Sequence, residues 1–156
     1  MKSNYIAVEC EFRTIDDFWN FFQFPEIDFS PYVFLNVEHN VYSDRTQIHV
    51  APIFTFSYLK KMIQKKFIPE YMVLHLYPKN LPLGRAAEQM ETIEEYQDYI
   101  RSDCQMIILA YDCTCVEVYC KNPVWLQSII DYATHISGTE VTPKSILTDA
   151  RTTMYL

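Results

Sequence analysis

Four cysteines lie close together in the sequence and could hold a metal ion or carry out redox chemistry. Their spacing is Cys104-x8-Cys113-x-Cys115-x4-Cys120. A zinc knuckle usually presents a C-x2–4-C pair, because its turn must aim both thiolates at one tetrahedral point. Redox dithiols use C-x-x-C, a spacing that the chain does not contain. The pattern therefore favours structural thiols near a β-hairpin, and we predict neither a metal nor any other cofactor.

His75 is the second candidate for chemistry. In the pattern YMVLHLY it shares one face of a predicted strand with Tyr71, Val73 and Tyr77. A histidine in such a place can act as a general acid or base, but no carboxylate at a suitable spacing accompanies it. A structural histidine is the simpler interpretation. A small enzyme or metal-binding protein that uses His75 or the cysteine group stays as the alternative function.

An acidic and aromatic stretch provides the main indication of a binding surface. Residues 86–120 contain one basic and eight acidic residues. Clustered carboxylates steer basic partners, and tyrosine is enriched at interfaces. A predicted helix IEEYQDYIR, opened by a capping box from Thr92 to Glu95, would place acidic side chains four residues apart on one face. The predicted partner-binding residues are Glu91, Glu94, Glu95, Tyr96, Asp98 and Tyr99.

Composition excludes several classes of function. The chain has only two glycines, so it contains none of the glycine-rich loops that bind phosphates. A net charge of −7 argues against nucleic-acid binding, and no apolar window is long enough for a membrane span. The five cysteines and the absence of a signal-peptide pattern favour a cytoplasmic location. The lysines of residues 60–66 are typical of a solvated helix face.

The predicted secondary structure mixes β-hairpins with helices, in the order β-α-β-β-α-β-loop-α-β-β-α-β. Helices are expected to begin after Thr14, Ser57, Thr92 and Asn122, and residues 78–90 are predicted as a loop. Strands are predicted at residues 5–12, 32–39, 46–51, 71–77, 105–111, 115–120 and 150–156. The order predicts a single α+β domain over residues 1–156. Its sheet would be mixed or largely antiparallel, with helices packed mainly on one face.

Two stretches resemble a family of small bacterial proteins known only as a domain of unknown function. They are the run YQDYIRSDCQMIILAYDCTCVEVYCKNP and the ending TDARTTMYL, and the resemblance is clearest from Ile93 onward. It implies a small, soluble, intracellular protein, and it supplies no activity, cofactor or catalytic residue.

The residues together predict a non-enzymatic, acidic, cytoplasmic binding protein. It would recognise another protein with a basic surface, in the manner of an immunity protein or an inhibitor. The motivating features are the clustered acidic charge, the surplus of tyrosine and the missing catalytic signatures.

Overall fold

The computed structural model describes residues 4–149 and 151–156. Strands and helices follow one another along the chain, with one run of three consecutive strands, one pair of consecutive strands and one pair of consecutive helices. Their bounds are β1 (Tyr5–Glu11), α1 (Ile15–Phe21), β2 (Tyr32–Ser43), β3 (Thr46–Ile48), β4 (Ile53–Phe54), α2 (Phe56–Lys65), β5 (Ile68–Pro78), α3 (Leu83–Thr92), α4 (Tyr96–Arg101), β6 (Met106–Tyr111), β7 (Cys115–Cys120), α5 (Pro123–His135) and β8 (Glu140–Ser145).

The strands form one antiparallel sheet in the order β3-β2-β5-β6-β7-β1-β8. The short strand β4 pairs with the first part of β2, and β3 pairs with its last part. The predicted α+β class is confirmed. None of the helices in the described part of the chain is long and apolar enough to cross a membrane.

The first face of the sheet carries the larger core. Helices α1, α2 and α5 pack on it, because each buries an apolar stripe against the alternating residues of the central strands. Thr14 caps α1 by accepting a hydrogen bond from the backbone N–H of Asp17, as predicted. Asn122 caps α5 in the same way, with Pro123 in the first turn.

The second face carries a smaller core, covered by α3, α4 and residues 151–156. Ala86 of α3, Tyr99 of α4 and Met154 are buried there against the central strands. Residues 151–156, which we call the strap, contain no helix or strand. The sheet is therefore covered on both sides, with three of the five helices on the first face.

The prediction of a loop at residues 78–90 is wrong, because α3 occupies Leu83–Thr92. Pro82 and Gly84 are loop signals, but a proline just before a helix is favourable since the first N–H groups have no partner inside the helix. Thr92 does not open a helix either. It ends α3, and Asp98 caps α4 by accepting hydrogen bonds from the N–H groups of Glu94 and Glu95.

The predicted strand at residues 150–156 is also wrong within the part that the structure describes, since residues 151–156 are irregular. The last strand is β8, which pairs with the free edge of β1. It contains Pro143, a residue that a sheet tolerates only at an edge strand or a bulge. Smaller differences occur at α2, which begins after Thr55 rather than Ser57.

The two glycines offer a matched test of the fold. Gly138 has φ +75°, and a Cβ there would lie 2.0 Å from Cδ of Arg13, whereas a Cβ at Gly84 meets nothing within 4 Å. We expect Gly138→Ala to lower the free energy of unfolding by about 1 kcal/mol or more, because a left-handed backbone disfavours a Cβ. Gly84→Ala should raise it by about 0.5 kcal/mol, since alanine favours the helix. Urea unfolding measures both, and equal effects of the two substitutions would contradict this account of Gly138.

Candidate functional site

Strand pairing arranges the side chains of the second face into three rows that cross the sheet from β2 to β8. Each row contains one residue from each of six strands, at the spacing of neighbouring strands. The inner row is Leu35, His75, Ile107, Tyr119, Ala7 and Lys144; the middle row is Glu38, Val73, Leu109, Glu117, Glu9 and Thr142; and the outer row is Asn40, Tyr71, Tyr111, Cys115, Glu11 and Glu140. Polar residues are therefore concentrated towards β7, β1 and β8.

A buried ionic network stands at the centre of the polar part. Glu117 is only 1% exposed, and its two carboxylate oxygens lie 3.0 and 3.1 Å from Nε of Arg151. Nζ of Lys144 lies 2.8 Å from Glu9 and 3.6 Å from Glu117. Burial disfavours the charge of Lys144, but its hydrogen bond to Glu9 and the nearby carboxylates outweigh burial and raise its pKa.

Tyr119 joins the network to Asp149. Its hydroxyl donates a hydrogen bond to Oδ2 of Asp149 and lies 3.3 Å from Oε1 of Glu117. Burial, then the bond to Asp149 and the adjacent carboxylates, raise the pKa of the phenol well above its ordinary value. Tyr119 is therefore protonated near pH 7 and acts as a hydrogen-bond donor to Asp149.

The network fixes the path of the strap. Arg151 lies over β7 at Glu117, and the backbone N–H of Leu156 donates to Glu38 of β2 at 3.2 Å. Between these ends, the N–H of Met154 donates to the carbonyl of Glu94 at 2.8 Å, and its side chain is buried. The strap thus runs along the middle row and separates the α3–α4 side of the second face from the outer row.

The outer row is the uncovered part of this face. Tyr71 is 36% exposed, Glu11 and Glu140 are exposed, and Tyr111 is half-buried. Burial raises the pKa of Tyr111 to about 12, with further contributions from Glu9, Glu117 and Cys115. The phenol of Tyr111 therefore lies near the carboxylates of the middle row, so the aromatic and acidic side chains form one surface.

The predicted partner-binding residues are distributed between exposed and buried positions. Glu91, Glu94 and Glu95 are exposed at the junction of α3 and α4. Tyr99 is buried, with its hydroxyl donating to the carbonyl of Gln105, so it offers no contact surface. Asp98 is half-buried and caps α4.

Tyr96 is half-buried, and its ring centre lies 6.1 Å from that of Tyr119. The expected single helical face does not form, because the chain leaves helical geometry at residues 93–95 between α3 and α4.

His75 lies in the second core rather than at a polar opening. Its side chain is 1% exposed, Nδ1 lies 3.5 Å from the hydroxyl of Tyr77, and Nε2 has no partner among the described residues. Burial lowers the pKa of His75 to about 4, so the imidazole is neutral near pH 7. Among the described residues, no carboxylate forms a hydrogen bond or ion pair with His75.

The cysteine group is dispersed by the fold. Cys104 belongs to the second core and Cys120 to the first, on opposite faces of the sheet. Cys113 lies in the turn between β6 and β7, and Cys115 is in the outer row. Burial raises the pKa of Cys104 and of Cys120 to about 12, which makes both thiols unreactive. Over residues 4–149 and 151–156, no three His, Cys, Asp or Glu side chains are grouped as metal ligands.

An open cleft of about 940 Å³ lies elsewhere, between Pro25, Glu26 and the outer side of α5. None of its lining residues is buried, so its polar groups, including Asp131 and Tyr132, are solvated. The cleft has no feature comparable to the ionic network of the second face.

Comparison with known proteins agrees with the resemblance seen in the sequence. A family described as a protein of unknown function (DUF2691) matches residues 11–155. The chain belongs to this family. The match extends the resemblance well beyond the stretch that begins at Ile93. An uncharacterized protein named YncE from Bacillus subtilis (strain 168) is 36% identical over 53 residues, which are 34% of this chain and 33% of the relative. No solved structure matches the chain.

The most connected residues of the second face were missed by sequence reasoning. The sequence contains one indication of the role of Glu117, because this residue interrupts the apolar strand CVEVYC. A charged residue in a buried strand needs a partner of opposite charge. Its partners Lys144 and Arg151 are distant in sequence, and their proximity follows only from the β1–β7 and β1–β8 pairings.

Arg151 tests whether the network holds the strap. In Arg151→Ala, Lys144 remains as the basic partner of Glu117. We therefore expect the free energy of unfolding to fall by about 2 kcal/mol, which is less than the roughly 3–5 kcal/mol lost when one partner of an isolated buried ion pair is removed. The amide of Met154 should then exchange faster with deuterium. Glu117→Gln with Arg151→Ala should recover part of the stability. Unchanged exchange at Met154 would show that the strap is held by its apolar contacts alone.

His75 should make stability depend on pH. Because its pKa falls from 6.5 to about 4 on folding, the unfolded chain binds a proton that the native protein does not, and stability decreases as pH falls from 6.5 to about 4. The full effect is about 3 kcal/mol. His75→Leu should remove most of this slope in urea titrations, with a smaller part remaining from His39, whose pKa burial also lowers. His135→Gln, at an exposed site, is the control and should retain the slope.

Proposed function

We propose that the protein is a non-enzymatic, cytoplasmic binding protein that recognises the basic surface of another protein through the second face of the sheet. The observation that carries this proposal is the group of exposed glutamates on the second face, at the α3–α4 junction and in the outer row. An immunity protein or an inhibitor of a basic-surfaced enzyme would have this kind of surface.

The second face is acidic on both sides of the strap. Glu91, Glu94 and Glu95 are exposed at the α3–α4 junction, and Glu11 and Glu140 are exposed in the outer row. The two basic residues of the network, Lys144 and Arg151, are engaged by buried or half-buried carboxylates. Arg85 of α3 and Arg101 of α4 are also exposed, so they neutralise part of the charge beside the α3–α4 junction.

The first face carries the compensating basic element. The four lysines of α2 and its end, at residues 60, 61, 65 and 66, are all exposed. Lys66 pairs with Asp16 at 3.0 Å. Asp16 of α1 and Asp131 of α5 are exposed on the same side, so the charge of the first face is mixed.

The groups suited to catalysis are unfavourably placed for it. His75 is enclosed in the second core without a carboxylate, and the buried thiols have raised pKa values. Tyr119 is a hydrogen-bond donor within the ionic network. The arrangement supports binding more than it supports the enzymatic or metal-binding alternative.

Charge reversal on the second face tests the proposal. We expect Glu91→Lys with Glu94→Lys to weaken binding of the native partner about tenfold, since each exposed ion pair contributes up to about 1 kcal/mol. Partners would be captured by affinity purification and cross-linking in Bacillus subtilis, the organism of the relative, and binding repeated with the purified partner by calorimetry.

The matched control is Glu26→Lys with Asp131→Lys, which changes the net charge equally in the open cleft beside α5. It should leave the affinity unchanged. A partner that binds both variants and the wild-type protein equally, or one that loses affinity only in the control, would refute the proposed face.

A further inference from the structure

We propose that the outer row of the second face is the docking surface and that it receives an extended, Lys- or Arg-bearing segment of the partner. This inference rests on the proposed function and names the part of the second face that makes the contact. Its main residues are Tyr71, Tyr111, Glu11 and Glu140, with Glu9 of the middle row beside them.

The outer row has the dimensions of an extended peptide. Asn40, Tyr71, Tyr111, Cys115, Glu11 and Glu140 are directly paired from strand to strand across six neighbouring strands. At about 4.8 Å between strands, the five steps span about 24 Å. An extended segment of about seven residues covers that length. The strap crosses the adjacent middle row in a similar direction, so one side of the surface is already bounded by an extended chain.

This row is the least covered of the three: Tyr71, Glu11 and Glu140 are exposed, and its other members are half-buried. Helices α3 and α4 pack over the inner row, and the strap runs from Glu117 to Glu38 on the middle row. Tyr71 of the outer row and Tyr155 of the strap are 36% and 47% exposed. Both tyrosines therefore offer ring surface to a partner, and tyrosine is a residue type enriched at interfaces.

The acidic residues of the row are placed at some cost to the fold. Glu11 lies directly opposite Glu140 in the β1–β8 pairing. Like charges directly opposite each other in a sheet are destabilising. Within residues 4–149 and 151–156, neither Glu11 nor Glu140 forms an ion pair. Lys144, the basic residue of β8, is already paired with Glu9, Glu117 and Asp149. A cationic side chain bound between Glu11 and Glu140 would offset this repulsion.

The tyrosines specify the chemistry of the cation. Tyr71 and Tyr111 are paired directly across β5 and β6, so their side chains are cross-strand neighbours on the same face. Lysine and arginine lay their aliphatic stems on aromatic rings and gain from the π-face, most strongly for arginine. The combination of tyrosine rings and carboxylates in one row therefore fits basic side chains on a protein segment.

The edges of the sheet do not offer a simpler mode of binding by strand addition. Edge strand β8 contains Pro143, which lacks an N–H, and the N–H of Ser145 already donates to Oγ1 of Thr148. At the other edge β3 is only three residues long. Strand addition depends on a row of free backbone groups. Recognition by side chains of the outer row is thus better supported than recognition by a sheet edge.

A labelled peptide tests the surface directly. The probe is a fluorescein-labelled octapeptide that alternates arginine and serine, and the comparison peptide has glutamate in place of arginine. Binding to the full chain is followed by fluorescence anisotropy at physiological salt. We expect the arginine peptide alone to bind, and Tyr71→Ala with Glu11→Gln to raise its Kd about tenfold.

The matched control is Tyr132→Ala with Glu26→Gln, the same chemical changes at the open cleft. The control should change the Kd by less than twofold. Glu11→Gln alone should raise the midpoint of thermal unfolding, because it removes the repulsion from Glu140. Absence of peptide binding, or equal binding to every variant, would overturn the docking surface.

The native partner separates this inference from the proposed function. If that partner is lost on reversing Glu91 and Glu94 but not on changing Tyr71 and Glu11, the second face binds it and the outer row does not. If the arginine peptide binds at the outer row but no partner depends on the second face, the docking surface stands and the proposed function fails.

Discussion

The carboxylate of Glu117 is the constraint on which the second face depends. It is buried in the centre of the sheet, where an unpaired charge would be too costly to keep, so basic groups must reach it. Arg151 supplies the closest of them, at 3.0 Å, and Lys144 of β8 supplies another. One buried charge is therefore in contact with both the strap and the edge strand β8.

The position of the strap in turn decides which part of the second face is exposed. Because Arg151 is held over β7 and Leu156 reaches β2, the strap covers the middle row and leaves the outer row open. The inner row is already covered by α3 and α4. Tyrosines and glutamates at the outer row are consequently exposed by the geometry of a structural ion pair, which links the stability of the fold to the surface available for binding.

Local signals in the sequence were sufficient for much of the fold and insufficient for the site. The caps at Thr14 and Asn122, the β6–β7 hairpin and the α+β class follow from nearby residues, and the structure confirms them. Helix α3 was not predicted because Pro82 and Gly84 are typical loop residues. The prediction gave them more importance than the helix-favouring residues that follow them in the sequence. The contact between Glu117 and Arg151 joins residues that are close only after the sheet has formed, and no local pattern encodes it.

Strand pairing changes which acidic residues of the chain lie close together. In the sequence, the acidic residues of positions 86–120 suggest one helical surface. In the structure, Asp98 is used to cap α4, Glu117 is buried, and only part of the group faces solvent. Glu11 and Glu140, which lie far apart in the sequence and outside that stretch, become direct neighbours. Strand pairing thus separates the acidic residues that are adjacent in sequence and brings together two that are not, so the placement of exposed negative charge is set by the register of the sheet.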